Sequence, residues 1–464
     1  MNKNILYKIY SAVFVGICLV PSVLMPFIRS DTSTEKRKLS EVPKIKTDDG
    51  KLNFEYFNEF ETYFSEHFAF RQQLVTLDGY FKSKVLGTSS NNDVIVGKDG
   101  WLYYGETVND FLNKDTLSDR GINNIKNNLE IINDYCNQNN VKFIFTVAPN
   151  KNSVYPEYMP SNYRPAGNSG NYERLSESFV ENFPYCDMKK VILNTESNIP
   201  LYHKKDTHWN NLGAYAGHAK LMEMLDRQKC PSGNWTVRND RKGDLADMIY
   251  PTGKADDSQV YSDYKFSYQY LGLFRSFDDM SIKTFCAGKD GNLLMFRDSY
   301  GEAILPFLAE CFGNAEFTRT VPYRLDNIGN DSADTVILEI VERNIPNLQK
   351  YAPLMPAPVV DSLNIKNLTV CDDTIISQQE NGNYLHIFGE LSDKFFTGNN
   401  TRIFVTANGV TYRAFNAFED KLLERDGESS DNGFSLYIPK DSGVTADNIT
   451  IVSINDDGTA VSSQ

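Results

Sequence analysis

Histidine is scarce in this chain, and the short metal-binding motifs that use it are missing. Among 464 residues there are five histidines, and no His-Glu-x-x-His sequence occurs. Cysteine offers no Cys-x-x-Cys spacing either, so neither a zincin site nor a zinc ribbon is expected. Because the cysteines are scattered, they predict no defined disulfide framework. The seven are Cys18, Cys136, Cys186, Cys230, Cys286, Cys311 and Cys371.

Positive charge is also in short supply. Lysine and arginine number 47 against 61 aspartates and glutamates, which leaves a net charge of −14. A protein that binds nucleic acid normally carries a basic surface that neutralises phosphates. The composition therefore argues against a nucleic-acid partner. Internal repeats and low-complexity tracts are absent.

The sequence has one long hydrophobic run, and it lies near the start. Residues 9–28 carry no charged side chain, and a run of about 20 apolar residues is enough to cross a bilayer. No Ala-x-Ala-like cleavage site follows, so residues 1–28 are predicted to be a retained signal anchor, with a cleaved signal peptide as the alternative. Residues 29–50 are charged and rich in turn formers, which indicates a tether.

Helical and strand patterns alternate through the middle of the chain. Residues 123–139 place apolar side chains at helical spacing, and residues 142–147 form a short apolar run typical of a buried strand. This alternation predicts an α/β three-layer domain with a mostly parallel sheet over residues 51–352. The active site of such a domain is expected at the carboxyl ends of the strands. The polar residues 239–278 are interpreted as an insertion near the cleft.

The pattern changes after three closely spaced prolines, Pro353, Pro356 and Pro358. Residues 402–413 are typical of a β-hairpin with an Asn-Gly turn. Further short strands with Gly, Asn and Asp turns follow. Residues 360–464 are therefore predicted to form a small β-sandwich.

A serine stands where a predicted strand turns into a predicted helix. Residues 291–296 are an apolar strand-like run, Asp298-Ser299-Tyr300 follows, and an apolar helical pattern begins just after it. A serine in such a turn exposes its hydroxyl, and the N–H groups of the helix start can stabilise an oxyanion. The alternative is that Asp298 or Ser299 is only a helix N-cap.

About ninety residues earlier, an aspartate and a histidine lie two positions apart. Residues 206–210 read Asp-Thr-His-Trp-Asn, and the asparagines at 210 and 211 can cap a following helix. A carboxylate that holds one imidazole nitrogen leaves the other free to act as a base. Metal binding is the competing reading, with His203, His208 and His218 as ligands beside Asp206. Since no cysteine joins this group, no metal and no cofactor are expected.

Several stretches, in order along residues 37–345, resemble the DHHW and alginate O-acetyltransferase family (AlgX/AlgJ type), whose catalytic domain is SGNH-hydrolase-like. They include Arg-Lys-Leu-Ser at 37–40, the aromatic helix at 60–71, Gly-Lys-Asp-Gly-Trp-Leu-Tyr-Tyr at 97–104 and Val-Ala-Pro-Asn-Lys at 147–151. The stretches at 206–209 and 298–300 complete the set. Thr207 stands where the family name has histidine, and Arg297 where many members have glycine.

The resemblance assigns roles to individual residues. It implies that Ser299 is the nucleophile, His208 the base and Asp206 its carboxylate partner. Because the Asp/His motif precedes the serine, the sheet is interpreted as circularly permuted. Arg343 or Asn344, after the strand-like run at 334–340, is then expected to help hold the oxyanion. Residues within the matching stretches that are candidates for substrate binding are Lys151, Trp209 and Tyr300.

The function implied by the resemblance is polysaccharide O-acetylation outside the cytoplasm. The chain would be a single-pass membrane protein that uses an acyl-serine intermediate on a cell-surface or secreted polysaccharide. A membrane-bound O-acyltransferase would be its acetyl donor. In the alginate enzyme a carbohydrate-binding β module follows the catalytic domain, and residues 360–464 occupy that place here. The alternatives are a carbohydrate acetyl esterase and a noncatalytic glycan-binding or assembly protein.

Overall fold

The structure is a computed structural model that describes residues 3–28, 39–47, 49–167, 169–329, 332–371, 373–417, 431–444 and 448–463. Its first helix, α1 (Lys3–Leu24), contains residues 9–24 of the predicted membrane span, and residues 25–28 follow it as a turn. Within it, Asn4–Leu24 is long and apolar enough to cross a bilayer. Most of the predicted tether, residues 29–38 and 48, lies outside the described residues.

Two helices and a small ladder lead into the main domain. The aromatic helix expected over residues 60–71 ends at His67, and a new helix begins at Arg71 after Phe70, whose φ of 63° interrupts the helical backbone. The elements are α2 (Tyr56–His67), α3 (Arg71–Phe81), a π-helical turn (Lys82–Leu86), the paired strands β1 (Val94–Val96) and β2 (Leu102–Tyr104), and α4 (Val108–Phe111).

Helices and strands then alternate over much of residues 119–341, as the sequence predicts, but the four strands between residues 257 and 296 follow one another with no helix between them. The helices are α5 (Asp119–Gln138), α6 (Lys151–Val154), α7 (Asn171–Ser178), α8 (Met188–Asn194), α9 (Asn211–Met224), α10 (Asp244–Ile249) and α11 (Gly301–Ala309). The strands are β3 (Lys142–Ala148), β4 (Tyr185–Cys186), β5 (Trp235–Arg241), β6 (Asp257–Ser262), β7 (Gln269–Leu271), β8 (Ser281–Phe285), β9 (Asn292–Phe296), β10 (Asn314–Thr318) and β11 (Thr335–Val341).

The central sheet has seven strands in the order β4-β3-β11-β9-β10-β8-β7. The first five strands are mutually parallel. Strand β8 runs antiparallel to β10, and β7 runs antiparallel to β8, so the sheet is mixed at one edge. Strands β5 and β6 form a separate antiparallel hairpin. This hairpin, α10 and the loop to β8 are the structure of the predicted insertion.

The two faces of the central sheet are covered by different helices. Ile144 of β3 belongs to the core that includes α9 and α11, whereas its neighbour Phe145 belongs to the core that includes α5. Successive side chains of a strand point to opposite faces, so buried residues alternate between the two cores. This gives the three-layer α/β arrangement that the sequence predicts.

The C-terminal strands form two further sheets. They are β12 (Asn367–Val370), β13 (Thr374–Asn381), β14 (Tyr384–Leu391), β15 (Thr401–Ala407), β16 (Val410–Ala414), β17 (Gly433–Pro439), β18 (Ile449–Asn455) and β19 (Thr459–Ser462). Their orders are β12-β19-β18-β15-β16 and β13-β14-β17, and side chains from both sheets meet in one core. The hairpin at Asn408 and Gly409 is confirmed, with φ values of 50° and 78°.

Buried asparagines join α5 to these C-terminal strands. Asn128 Nδ2 donates to the carbonyl of Asn416 at 2.9 Å, and the N–H of Asn416 donates to Asn128 Oδ1 at 2.8 Å. Asn124 Nδ2 donates to the carbonyl of Asp431, and Asn127 Nδ2 to Asn400 Oδ1. The polar side of this amphipathic helix is therefore an internal contact surface rather than a solvated one.

Candidate active site

Ser299 lies in the turn between β9 and α11, and its neighbour Asp298 shapes that turn. Asp298 Oδ1 accepts a hydrogen bond from Tyr300 N–H at 2.8 Å, and its Oδ2 accepts one from Val341 N–H at 2.6 Å. The Asp298 carboxylate thus joins the turn to the end of β11, while α11, whose N-cap residue is Tyr300, has no side-chain cap hydrogen bond. The hydroxyl of Ser299 does not cap the helix and points instead to His208.

His208 bridges Ser299 and Asp206. Its Nε2 lies 2.9 Å from Ser299 Oγ, and its Nδ1 lies 2.7 Å from Asp206 Oδ1. The backbone N–H of His208 also donates to Asp206 Oδ1, at 3.0 Å. When Nδ1–H donates to the carboxylate, Nε2 is left to accept the serine proton. The structure brings together the three residues that the sequence places in one site.

The pKa values of the pair are shifted in opposite directions. Burial alone would lower the pKa of His208, but the hydrogen bond and charge of Asp206 outweigh it and the pKa is raised. Burial alone would raise the pKa of Asp206, yet the hydrogen bond and charge of His208, with Arg241, hold it well below its usual range. A carboxylate that stays ionised while the imidazole gains basicity suits proton transfer from a hydroxyl.

Two charged residues of this site were missed by the sequence analysis, and one is Arg241 at the end of β5. Its Nε and Nη2 donate to Asp206 Oδ2 at 3.0 and 2.7 Å. Because Oδ2 is held by the guanidinium, Oδ1 is directed at His208. Arg241 also lines the cleft, but both of these hydrogen bonds go to Asp206, so it acts by positioning that carboxylate.

The second missed residue is Asp244, at the start of α10. It accepts hydrogen bonds from the N–H and the hydroxyl of Thr207, and its Oδ2 lies 3.6 Å from His208 Nδ1. Asp206, His208 and Asp244 offer ligand atoms within 4.8 Å of one another, so this group could hold a metal ion. The distances between them are those of hydrogen bonds and ion pairs, which already use the ligand atom Nδ1 of His208.

The other two histidines of the alternative metal site have different partners. His203 Nδ1 bonds the carbonyl of Ser258 at 2.8 Å. His218 Nε2 accepts from the N–H of Cys230 at 3.0 Å, inside the core around α9. Burial lowers the pKa of His218 to about 3, so its ring is neutral. Neither belongs to the group that could hold a metal.

Lys151, a sequence candidate for substrate binding, lies inside the protein. Its ammonium donates to the backbone carbonyls of His203 and Lys204, both at 3.1 Å, and to that of Asp206. It also lies over the rings of Trp101 and Tyr103. Burial lowers its pKa to about 8. Since all its donors serve the loop that carries Asp206, we correct its role from substrate contact to support of that loop.

Trp209 and Tyr300 are likewise buried, with 1% of each side chain exposed. Trp209 Nε1 donates to the carbonyl of Tyr300 at 3.0 Å, and the hydroxyl of Tyr300 donates to the carbonyl of Thr207 at 2.7 Å. These two hydrogen bonds hold the turn that carries Ser299 against the loop that carries His208. Their polar atoms are engaged there, but both residues also line the cleft around Ser299, so the substrate contact expected from sequence stays a prediction.

Arg343 and Asn344 do not line the cleft that holds Ser299, which corrects their expected oxyanion role. After β11 the chain enters a 3₁₀ helix (Glu342–Gln349), anchored by Glu342, which accepts from Asn150 N–H at 2.7 Å. This turn places the Arg343 guanidinium 5.5 Å from the ring of Tyr104. Asn344 lines a separate cavity of about 350 Å³ behind Asp298.

The cleft around Ser299 has a volume of about 440 Å³. His208 keeps 20% of its side chain exposed there, and Ser299 is also partly exposed. The inserted segment supplies much of the wall. The lining residues from that segment are Arg241, Asp244, Gln259, Tyr261, Ser262, Phe266, Phe277 and Asp278, and Trp235 precedes it.

The pKa shifts predict how aryl acetate turnover depends on pH. The rate should rise as His208 loses its proton, with a midpoint above the ordinary histidine pKa. Asp206→Asn removes the interactions that raise this pKa and leaves the burial that lowers it, so the midpoint should move to lower pH. The plateau rate should fall about 10²- to 10⁴-fold. A pH–rate profile of both forms checks this, and an unmoved midpoint would contradict the His208–Asp206 coupling.

Comparison with known proteins shows what part of this chain is similar to. The family described as SGNH hydrolase-like domain, acetyltransferase AlgX, matches residues 94–270. The chain is 23% identical over 229 residues to the probable alginate O-acetylase AlgJ of Pseudomonas syringae pv. tomato, across 48% of this chain and 53% of that protein. It is 25% identical over 169 residues to the probable alginate O-acetylase AlgJ of Pseudomonas aeruginosa, across 34% and 41%. The matched region spans about half the length of these curated relatives.

One solved structure is similar to part of this chain. The DHHW family protein from Eubacterium siraeum is 18% identical and has a TM-score of 0.42, with 56% of this chain and 95% of that chain covered. The family match over residues 94–270 and the two sequence matches bear out the resemblance: this part of the chain is similar to the SGNH hydrolase-like domain of AlgX/AlgJ-type proteins.

Proposed function

We propose that this protein is an O-acetyltransferase that acts on a polysaccharide through Ser299, His208 and Asp206. The observation that carries the proposal is the continuous hydrogen-bonded line from Ser299 Oγ to His208 Nε2 at 2.9 Å and from His208 Nδ1 to Asp206 Oδ1 at 2.7 Å. The curated relatives, named as probable alginate O-acetylases, support the same activity class.

In the proposed reaction Ser299 Oγ attacks the acetyl carbonyl while His208 takes the hydroxyl proton. The oxyanion would be held by backbone N–H groups of the serine turn. Among the described residues the N–H of Ser299 makes no hydrogen bond, so it is available as a donor. The leaving group departs with the proton, and His208 then activates a sugar hydroxyl that attacks the acetyl-serine.

Hydrolysis of the acetyl-serine is a second candidate, because Ser299 and His208 are both partly exposed to solvent. Transfer and hydrolysis can be distinguished in a reaction that contains an aryl acetate as donor and an added oligosaccharide as acceptor. Transfer predicts acetylated oligosaccharide and a matching fall in free acetate. An esterase would release acetate at an unchanged rate, and binding of glycan without any turnover would favour a noncatalytic protein.

We place the catalytic domain outside the cytoplasm, anchored by α1. The end of α1 contacts the next helices through a hydrogen bond from Ala69 N–H to the carbonyl of Pro21 at 3.3 Å. Near this junction α2 and α3 expose apolar side chains, including Phe57 at 81% and Leu77 at 66%. Such side chains suit the interfacial region of a membrane. A membrane-bound O-acyltransferase is the proposed acetyl donor.

The remaining proposals concern domain organisation. We propose that residues 51–352 form the catalytic domain, with a sheet circularly permuted relative to ordinary SGNH hydrolases, and that residues 360–464 form a β-sandwich module. The Asp/His motif before the serine supports the first. The core shared by the two C-terminal sheets supports the second.

A further inference from the structure

The cleft around Ser299 contains several carboxylates but no free cation. Among the described residues that line it, the one lysine or arginine is Arg241, which is bound to Asp206 by two hydrogen bonds. Asp244 accepts from Thr207. Asp278 is 64% exposed and is paired with Arg319, 3.1 Å away and outside the lining. Glu302, at the start of α11, adds a further carboxyl group to the wall.

Recognition of a carboxylate normally requires the opposite arrangement. Proteins bind carboxylates with arginine or lysine side chains that are free to form charge-assisted hydrogen bonds. A polymer of uronic acids carries one carboxylate on each ring, so it would bring like charges close to Asp244 and Glu302, and to Asp278, whose charge is only partly offset by Arg319. The chain's net charge of −14 would add repulsion at longer range.

The rest of the wall suits uncharged parts of a sugar ring. Aromatic side chains line it, and Phe266, which is 36% exposed, packs edge to face on Phe307 with ring centroids 5.6 Å apart. Trp235 lies 6.4 Å from Phe307 on the same side. Rings of this kind offer large apolar contact area with few polar groups, as small-molecule sites usually do.

We infer that the acceptor sugar bound in this cleft carries no carboxylate, so the polysaccharide is neutral or amino-bearing rather than a uronic acid polymer. The inference rests on the proposed function, because it names the acceptor of that acetyl transfer. The inferred polysaccharide therefore differs from the alginate in the names of the curated relatives, since alginate is a polymer of uronic acids.

The test compares an oligomannuronate with the same oligosaccharide whose carboxyl groups are reduced to alcohols, and it counts acetylation only at the ring hydroxyls that both sugars share. The full chain is used in detergent, with an aryl acetate as donor. The reduced form should be acetylated at least about 10-fold faster at low salt. Asp278→Asn should raise the use of oligomannuronate about 3-fold. Asp290→Asn, whose carboxyl is 95% exposed and outside the cleft, is the matched control and should change neither acceptor.

Binding to the full-length Ser299→Ala variant gives a second measurement that needs no turnover. By calorimetry the reduced oligosaccharide should bind about 10-fold more tightly than the oligomannuronate, and added salt should narrow the difference. The inference would be overturned if the oligomannuronate were acetylated as fast as the reduced sugar or faster, or if it bound as tightly or more tightly. Failure of both sugars to bind would overturn it too. Loss of aryl acetate turnover in Ser299→Ala with no preference between acceptors would leave the proposed chemistry standing and remove this inference alone.

Discussion

Replacing Ser299 with alanine is expected to lower the release of acetate from an aryl acetate by roughly 10³-fold or more. His208→Ala should cause a loss of similar size, because the 2.9 Å contact between these side chains makes them one proton-transfer unit. The double variant should then be little worse than either single variant, since removal of one partner already disables the unit. Initial rates of the purified full chain measure all three.

The matched control is Ser161→Ala, which removes an exposed serine hydroxyl elsewhere on the surface. Its rate should equal that of the unchanged protein. Undiminished acetate release by Ser299→Ala would reject Ser299 as the nucleophile. Strictly additive losses for Ser299 and His208 would show that the two side chains act independently, against the geometry.

Asn128→Ala is expected to lower the free energy of unfolding by about 3 kcal/mol. The side chain is buried in α5 and exchanges hydrogen bonds with both the carbonyl and the N–H of Asn416. Removing the side chain leaves the buried N–H and carbonyl of Asn416 without these hydrogen bonds. Each unsatisfied buried group lowers the stability by about 1–3 kcal/mol. Denaturant titration of the full chain, followed by circular dichroism, measures the change.

Asn137→Ala provides the control, because Asn137 lies on the same helix but is exposed. Its effect should stay within about 0.5 kcal/mol. In the Asn128→Ala variant, aryl acetate turnover and the circular dichroism signal should be lost at the same denaturant concentration. A loss no larger than that of the control would mean that the C-terminal strands do not support α5.

The main elements near the site are well predicted by sequence because their signals are local. Buried apolar runs mark β3, β9 and β11, and Asn210 caps α9 as expected, accepting from Leu212 N–H at 3.0 Å. The antiparallel edge formed by β7 and β8 was not predicted. It lies where the inserted segment returns to the sheet, and its short, polar strands give little hydrophobic pattern.

The supporting residues of the site could not be assigned from sequence for a different reason. Arg241 meets Asp206 across 35 residues, within a segment whose composition resembles a loop. Lys151, Trp209 and Tyr300 were named from conspicuous motifs, but their side chains bond backbone carbonyls that no residue pattern reveals. A motif can thus mark the region of a site while its polar atoms face inward.

The most direct test of the account is to find where the acetyl group resides during turnover. A reaction of the full chain with an aryl acetate is quenched in acid and digested, and the peptides are sequenced by mass spectrometry. The account predicts an acetyl group on Ser299, which Ser299→Ala lacks and which disappears when an acceptor oligosaccharide is added before the quench. Acetyl on another side chain, or a burst of aryl alcohol with Ser299 unmodified, would contradict the proposed acetyl-serine.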